Sequence, residues 1–168
     1  MRAGYMRTKT GQWGFTLVEV MIVVAIVGIL AAVATPMITA MLPRYHLRAE
    51  ARELVINLKK AKMEAVKRNR DVLIQFTPET VGNPDAGGSY LVCVDDNRNG
   101  VCGAGEDLKT VTMRRNVRLA SNNNLVGYTS RGLPWKNRFA TATLKTSDGN
   151  GTRVYQITLG PGGRVQLQ

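Results

Sequence analysis

Histidine occurs once, at His46, and cysteine only twice, at Cys93 and Cys102. No Cys or His stands at a metal-binding spacing from His46, so its side chain is expected at the surface or in packing rather than on zinc. The chain also lacks a Walker loop, a dinucleotide-binding glycine motif and any recognisable nucleophile with its base, which leaves catalysis the least supported class and enzymatic activity is not expected. Ser130 has no nucleophile elbow around it, and Gly160 to Gly163 comes too late and too isolated to cradle a phosphate. Aromatic residues make up only 6% of the chain, so the core must come mostly from Val, Leu, Ile and Ala. Acidic residues are scarce as well, 12 against 23 Lys and Arg, and the formal net charge is +11. That excess suggests affinity for lipid headgroups, acidic protein surfaces or nucleic acid, without choosing among them. Two enzyme domains do not fit into 168 residues; one modest domain and an anchor do.

The dominant feature present is an apolar run. From Phe15 to Leu42 the sequence is FTLVEVMIVVAIVGILAAVATPMITAML, interrupted only by small hydroxyl residues, Pro36 and one charge, Glu19. As a helix it is long enough to span a bilayer core of about 30 Å. Arg2, Arg7 and Lys9 precede it without any acid, which predicts a leader held in the cytoplasm and a C-terminal part sent across the membrane. No small-residue cleavage site closes the run. The distinctive junction lies ahead of it, where Gly14 meets Phe15 and Glu19 follows as the fifth residue after the break. A carboxylate within a membrane span is expensive and needs a partner or a special role. A free amine at Phe15 of a neighbouring, staggered copy would neutralise it; snorkelling or protonation is the alternative. Gly28 and the Ala31 to Ala34 cluster keep one surface small enough for close helix approach. Pro36 and Pro43 each delete a backbone donor, so a kink or a locally melted stretch is expected between them.

After Pro43, Leu47, Ala51, Leu54, Leu58, Ala61 and Ala65 recur at steps of four and three, one face of a helix. Arg44, Arg48, Arg52, Lys59, Lys60, Lys67 and Arg68 occupy much of the remainder, a face suited to anionic headgroups or, alternatively, to nucleic acid. Helical character fades at Asn69 to Asp71. Short β-rich runs follow at Val72 to Phe76 and Ser89 to Val94, separated by a Pro/Gly-rich loop, Pro78 to Gly88. Further strands are expected at Leu108 to Arg114 and Val117 to Ala120. ATATLKT, the DGNG turn and RVYQITL form the clearest hairpin, and GPGG turns the chain into a final RVQL. One antiparallel, largely one-sided sheet is expected.

The segment GFTLVEVMIVVAIVGILAAVATP resembles the class III signal and N-terminal helix of type IV pilins and type II secretion pseudopilins. The resemblance implies cleavage by a prepilin peptidase between Gly14 and Phe15, N-methylation of Phe15, retention of the apolar segment, and an assembly role for Glu19. INLKKAKMEAVKRN, VDDNRNG, YTSRGLP and YQITLGPGGRVQL are similar to the GspH/FimT branch of that superfamily. The resemblance to this branch implies an α+β, pilin-like fold with a long N-terminal transmembrane and amphipathic helix packed on a small antiparallel sheet head. The implied segments are a cleaved leader (1–14), a transmembrane assembly helix (15–42), an amphipathic continuation (43–70) and a periplasmic β-rich head (71–168). The implied function is that of a minor pseudopilin of a type II secretion system, helping to initiate or cap the pseudopilus that drives protein export. The alternative is a FimT/FimU-like minor pilin of a type IV pilus, with DNA binding in uptake. Partners would be other pilin subunits, the peptidase and the inner membrane, which a single pass would cross with the head in the periplasm.

Three further candidates carry chemistry. Cys93 and Cys102 lie close enough in sequence to be bridged, and an oxidising compartment favours the bridge; two unrelated thiols in a reducing cytosol is the alternative. Between and beyond them, Asp95, Asn97, Asn99, Gly100, Val101 and Glu106 fall at positions one, three, five, six, seven and twelve of a calcium loop. Strand-like flanks and the embedded Cys102 favour instead a disulfide-stapled turn; no cofactor is otherwise required. Nucleic acid would meet Arg131, Lys136, Arg138 and Arg153, near Tyr128 and Trp135, with Arg164 in a C-terminal Gly-Arg-x-Arg segment known from DNA-binding relatives. Here Gln166 stands in place of the second arginine. Loss of Arg2, Arg7 and Lys9 would leave 20 basic residues against 12 acidic ones.

Overall fold

A computed structural model describes residues 14–78, 87–114, 116–148 and 151–168. The expected leader up to residue 13, most of the Pro/Gly-rich loop (79–86) and the middle of the DGNG turn (149–150) lie outside the described residues. The chain divides into two compact units, Met1–Ile38 and Thr39–Gln168, and one helix, α1 (Leu17–Arg68, 52 residues), begins in the first and ends in the second.

In the first unit, Thr16 caps α1. Its Oγ1 accepts the Glu19 backbone N–H at 3.2 Å, so Thr-x-x-Glu supplies the N-terminal stop signal that orphan helix donors require. Glu19 thereby falls in the first turn, where the helix dipole favours a negative charge. Of the kink or locally melted stretch expected between Pro36 and Pro43, the melted form is not found: both prolines lie within the range of α1. The Thr35 hydroxyl donates to the Ala31 carbonyl at 2.7 Å.

In the second unit, α1 buries the face read from the sequence: Leu47, Ala51, Leu54, Leu58, Ala61 and Ala65, with Glu50 and Asn57 among them. Lys67 and Arg68 close the last turn, where cations suit the dipole. Asn69 then adopts φ +52°, the left-handed conformation that ends helices and that Asn tolerates. Eight strands follow: β1 (Asp71–Thr77), β2 (Ser89–Asp95), β3 (Asp107–Thr112), β4 (Arg118–Ser121), β5 (Leu125–Tyr128), β6 (Ala140–Asp148), β7 (Gly151–Leu159) and β8 (Val165–Leu167).

The α+β class is as expected, but the strands form two four-stranded sheets, β3-β2-β1-β5 and β4-β6-β7-β8, rather than one. All pairings within them are antiparallel. The division follows from β5, a segment for which the sequence pattern predicts no strand. It returns to pair with β1, Val72 opposite Tyr128 and Ile74 opposite Val126, and so occupies the edge that the C-terminal hairpin would have needed. Gly127 permits that pairing, because a Cβ there would lie 2.4 Å from the Val72 carbonyl oxygen.

One core joins α1 to both sheets: Leu54 and Leu58 lie in the same cluster as Ile74, Val92 and Val126 of the first sheet and Leu119, Leu144 and Ile157 of the second. Polar ties stitch α1 to the first sheet and its flank. Asn57 Nδ2 donates to the Tyr90 hydroxyl at 2.6 Å, buried, Lys109 meets Glu53 at 2.8 Å and Arg114 meets Glu50 at 3.2 Å. Burial pushes the Tyr90 hydroxyl up, partly offset by the Asn57 bond. The Glu50 carboxyl is also raised, first by burial and then by its like-charged neighbour Glu53, against the pull of Arg114. Glu53 is held low, chiefly by its hydrogen bond to Lys109.

Tyr90→Phe strands the Asn57 amide in the core and should destabilise the head by about 1–3 kcal/mol in urea unfolding; an unchanged midpoint would show the tie to be dispensable. Glu50 has the sign opposite to an ordinary paired acid. The folded state binds its proton more readily than the unfolded chain, so its contribution to stability falls as pH rises through the window above the ordinary value of 4.5. Unfolding titrations of Glu50→Gln and wild type across that window should therefore show wild type losing ground to the variant as pH increases, whereas a constant offset between them would contradict the burial argument.

Candidate functional site

The Gly14–Phe15 junction lies ahead of the helical ladder. Gly14 and Phe15 are in irregular backbone, Phe15 is 82% exposed, and a Cβ on Gly14 would meet nothing within 4 Å. From there to Leu42 every residue is exposed, including Leu17, Met21, Ile22, Val24, Ile29 and Leu30. The segment is long and apolar enough to cross a membrane. Large side chains are displayed on all sides of the helix rather than along a stripe, so no one face is reserved for water. An environment of lipid tails or of other apolar helices is the one that such a surface fits.

The second constellation is the connection from β2 to β3. Cys93 and Cys102 are joined in a disulfide with Cα atoms 5.7 Å apart. Around it the loop bonds to itself: the Asp95 carboxylate accepts the Gly100 N–H at 3.0 Å, Asn97 accepts Asn99 N–H at 2.9 Å, and Asn99 accepts Val101 N–H at 2.8 Å. Glu106 closes the turn, its carboxylate accepting N–H groups of Asn97 at 3.4 Å and Gly103 at 2.8 Å. Residues separated by up to nine positions are thus brought together. Gly100 has φ +78°, and a Cβ there would lie 2.9 Å from the Trp135 ring. That ring belongs to a small satellite core with Leu73, Cys93 and Cys102 on the outer face of the first sheet. Sequence reasoning missed this core, whose signal was Trp135 directly after a proline in YTSRGLPW.

The basic residues proposed for nucleic acid are all exposed, and four of the five fall into two pairs. Lys136 and Arg138 sit over Trp135, Nζ at 4.3 Å and Cζ at 5.6 Å from its centroid. Arg131 and Arg164 lie on abutting turns, where Gly163 approaches the Gly132 carbonyl. Lys62 of α1, unnoticed in the sequence, donates to the Gly162 and Gly163 carbonyls there at 3.4 Å each. The aromatic partners are not available for stacking on bases, since Tyr128 is 0% and Trp135 5% exposed. Arg153 is grouped elsewhere, lining a recess of about 250 Å³ with Arg44, Arg48, Tyr45 and Tyr155. His46 pairs with Asn116 at 3.1 Å, a packing role.

Residues 50–163 match the family described as type II transport protein GspH. The chain belongs to the GspH family. Residues 12–35 match the prokaryotic N-terminal methylation motif, which spans Gly14, Phe15 and Glu19. Over 164 residues, 92% of this chain and 97% of the relative, it is 30% identical to the pilin-like protein PilA1 of Thermus thermophilus. A fimbrial protein of Pseudomonas aeruginosa is 35% identical over 98 residues, 53% of this chain and 63% of the relative. Crystal structures of the type IV minor pilin FimU of P. aeruginosa superpose with TM-scores of 0.50 and 0.52 at 19% and 21% identity, covering 72% and 74% of this chain and 91% and 90% of FimU. That likeness shows the pilin fold. This GspH-family chain is therefore a pilin-like structural subunit that assembles with other pilin subunits, anchored by an apolar N-terminal helix.

Within the family fold, the disulfide closes a short loop between two strands. Reduction, or Cys93→Ser with Cys102→Ser, should lower stability by about 2–3 kcal/mol, the amount expected for closing so short a loop. Thermal melting with and without reductant reads this directly, and identical transitions would show that the loop is ordered without its bridge.

Proposed function

We propose that the chain is a minor subunit of a type IV pilin filament, entering at its start or tip, with its apolar helix exchanging lipid neighbours for the helices of sister subunits. The observation that carries this is the uniform exposure of residues 14–42, an apolar surface with Glu19 as its only charge. Membrane anchoring and filament entry are both served by such a rod, because neither lipid nor neighbouring helices require a polar face. Gly28, with open space where a Cβ would stand, offers a point of close approach. A prepilin peptidase would cut between Gly14 and Phe15, and N-methylation of Phe15 would follow. The new amine of one subunit would then neutralise Glu19 of the next, a pairing that favours one register over others because an unpaired acid among apolar helices is costly. The acid-free basic leader supports a cytoplasmic N-terminus, an inner-membrane pass and a periplasmic head.

A pilus is the first setting, supported by kinship with a pilin-like protein matched over nearly its whole length. The pseudopilus of a type II secretion system is the second, supported by the family's description as a transport protein. DNA uptake finds less support, with both nearby aromatic rings buried and the second arginine of the C-terminal segment absent. Mass spectrometry of the mature protein should find a chain beginning at methylated Phe15. Glu19→Ala should insert into membranes normally yet enter filaments at least about tenfold less, the scale set by leaving one charge of a buried pair alone. Undiminished co-assembly of that variant, or filaments containing the chain from Met1, would refute the mechanism.

A further inference from the structure

We propose that the β2–β3 loop binds a calcium ion through Asp95, Asn97, Asn99, the backbone carbonyl of Val101, and Glu106. The proposal is independent of the filament mechanism, since it concerns only the head.

The deciding observation is an atom without a partner. Asp95 is 2% exposed, and its Oδ1 is buried with no hydrogen bond. Its Oδ2 accepts the Gly100 N–H, so the carboxylate is drawn into the turn rather than out to solvent. A buried carboxylate oxygen left without a donor or a cation is costly, and native structures seldom keep one without a function. No nearby cation answers it: Lys136 holds its ammonium over the Trp135 ring, and among the described residues it forms no ion pair with Asp95.

The remaining donors suit calcium and no softer metal. Carboxylate, amide and peptide oxygens make up the set, and among the described residues no three His, Cys, Asp or Glu side chains converge as a zinc-type site would require. Calcium accepts six to eight oxygens in flexible geometry and completes its shell with water, whereas magnesium demands a strict octahedron. The spacing is that of a twelve-residue loop, with the glycine at position six in the positive-φ conformation that the sharp turn needs. Each side-chain oxygen already engaged by a backbone N–H retains a lone pair, so the internal bonds hold the ligands in place without consuming them. Strands and a disulfide flank this loop instead of two helices. The cross-link Cys93–Cys102 supplies the rigidity that helices would otherwise provide. With only two carboxylates, the dissociation constant should lie at about 10⁻⁴–10⁻³ M, the range of extracellular modules.

Bound calcium would join the end of β2 to the start of β3, across the register shift at Val92 and Cys93. The test uses the full chain in detergent, stripped with chelator and titrated with calcium chloride to about 10 mM, read by calorimetry and thermal melting. One ion should bind per chain and raise the melting temperature by about 5–10 °C, with magnesium at the same concentration giving little change. Glu106→Gln and Asp95→Asn should each weaken binding at least tenfold, while Asp107→Asn, outside the ligand set, should bind as wild type does. No saturable heat and no melting shift in a folded wild-type chain would overturn the site. So would an equal shift retained by Glu106→Gln, which would mark general charge screening.

Discussion

The contact between the inner face of α1 and the two sheets is the interaction on which the head depends. Leu47, Leu54 and Leu58 are 0–2% exposed, and each such leucine contributes on the order of 2–3 kcal/mol by leaving water. Ala51, Ala61 and Ala65 alternate with them, small enough for the helix to approach the strands closely. Without this face the sheets would expose Val72, Ile74, Leu144 and Ile157, and neither four-stranded layer has a second cover of comparable size. The buried polar pair Asn57 and Tyr90 then fixes how the helix lies on the first sheet, because its hydrogen bond is lost in any other register.

That same helix carries two surfaces with opposite demands. Beyond Leu47 it is amphipathic and its apolar face is satisfied within the chain. Before Leu42 its apolar side chains are exposed throughout and must be satisfied by something else. A helix that completes its own core at one end and leaves it open at the other is a part waiting for copies of its kind, which is what membership in a pilin family means in physical terms. No cleft or catalytic cluster is needed for this role. In the proposed mechanism the output is binding free energy, directed by the charge of Glu19.

Periodicity made the helix and most strands legible, because steps of three and four or of two report directly on which faces are buried. The Gly14–Phe15 junction, Glu19, the closeness of Cys93 to Cys102 and the twelve-residue spacing from Asp95 to Glu106 were likewise visible, since each depends on neighbours along the chain. β5 was not visible: LVGY is short, carries a glycine, and becomes a strand only because β1 offers it an edge. The continuation of the helix through Pro36 and Pro43 was not legible either, because proline's own propensity argues against it. Tyr128 and Trp135, which lie close in sequence to the basic residues considered for nucleic acid, are buried, and the bulk of a ring weighs more heavily than the charges around it.

Local order along the chain by itself determined the exposed apolar rod, the Gly14–Phe15 junction ahead of it and the amphipathic face that makes a head possible. Only the tertiary structure decided that there are two sheets, that a second small core lies beneath Trp135, and that one oxygen of Asp95 is buried without a partner. The reason is one of range. Hydrophobic period and the Gly-Phe-x-x-x-Glu pattern are properties of adjacent residues, whereas the pairing of β5 with β1 and the enclosure of a carboxylate depend on segments distant in sequence and on space that only the packed chain defines.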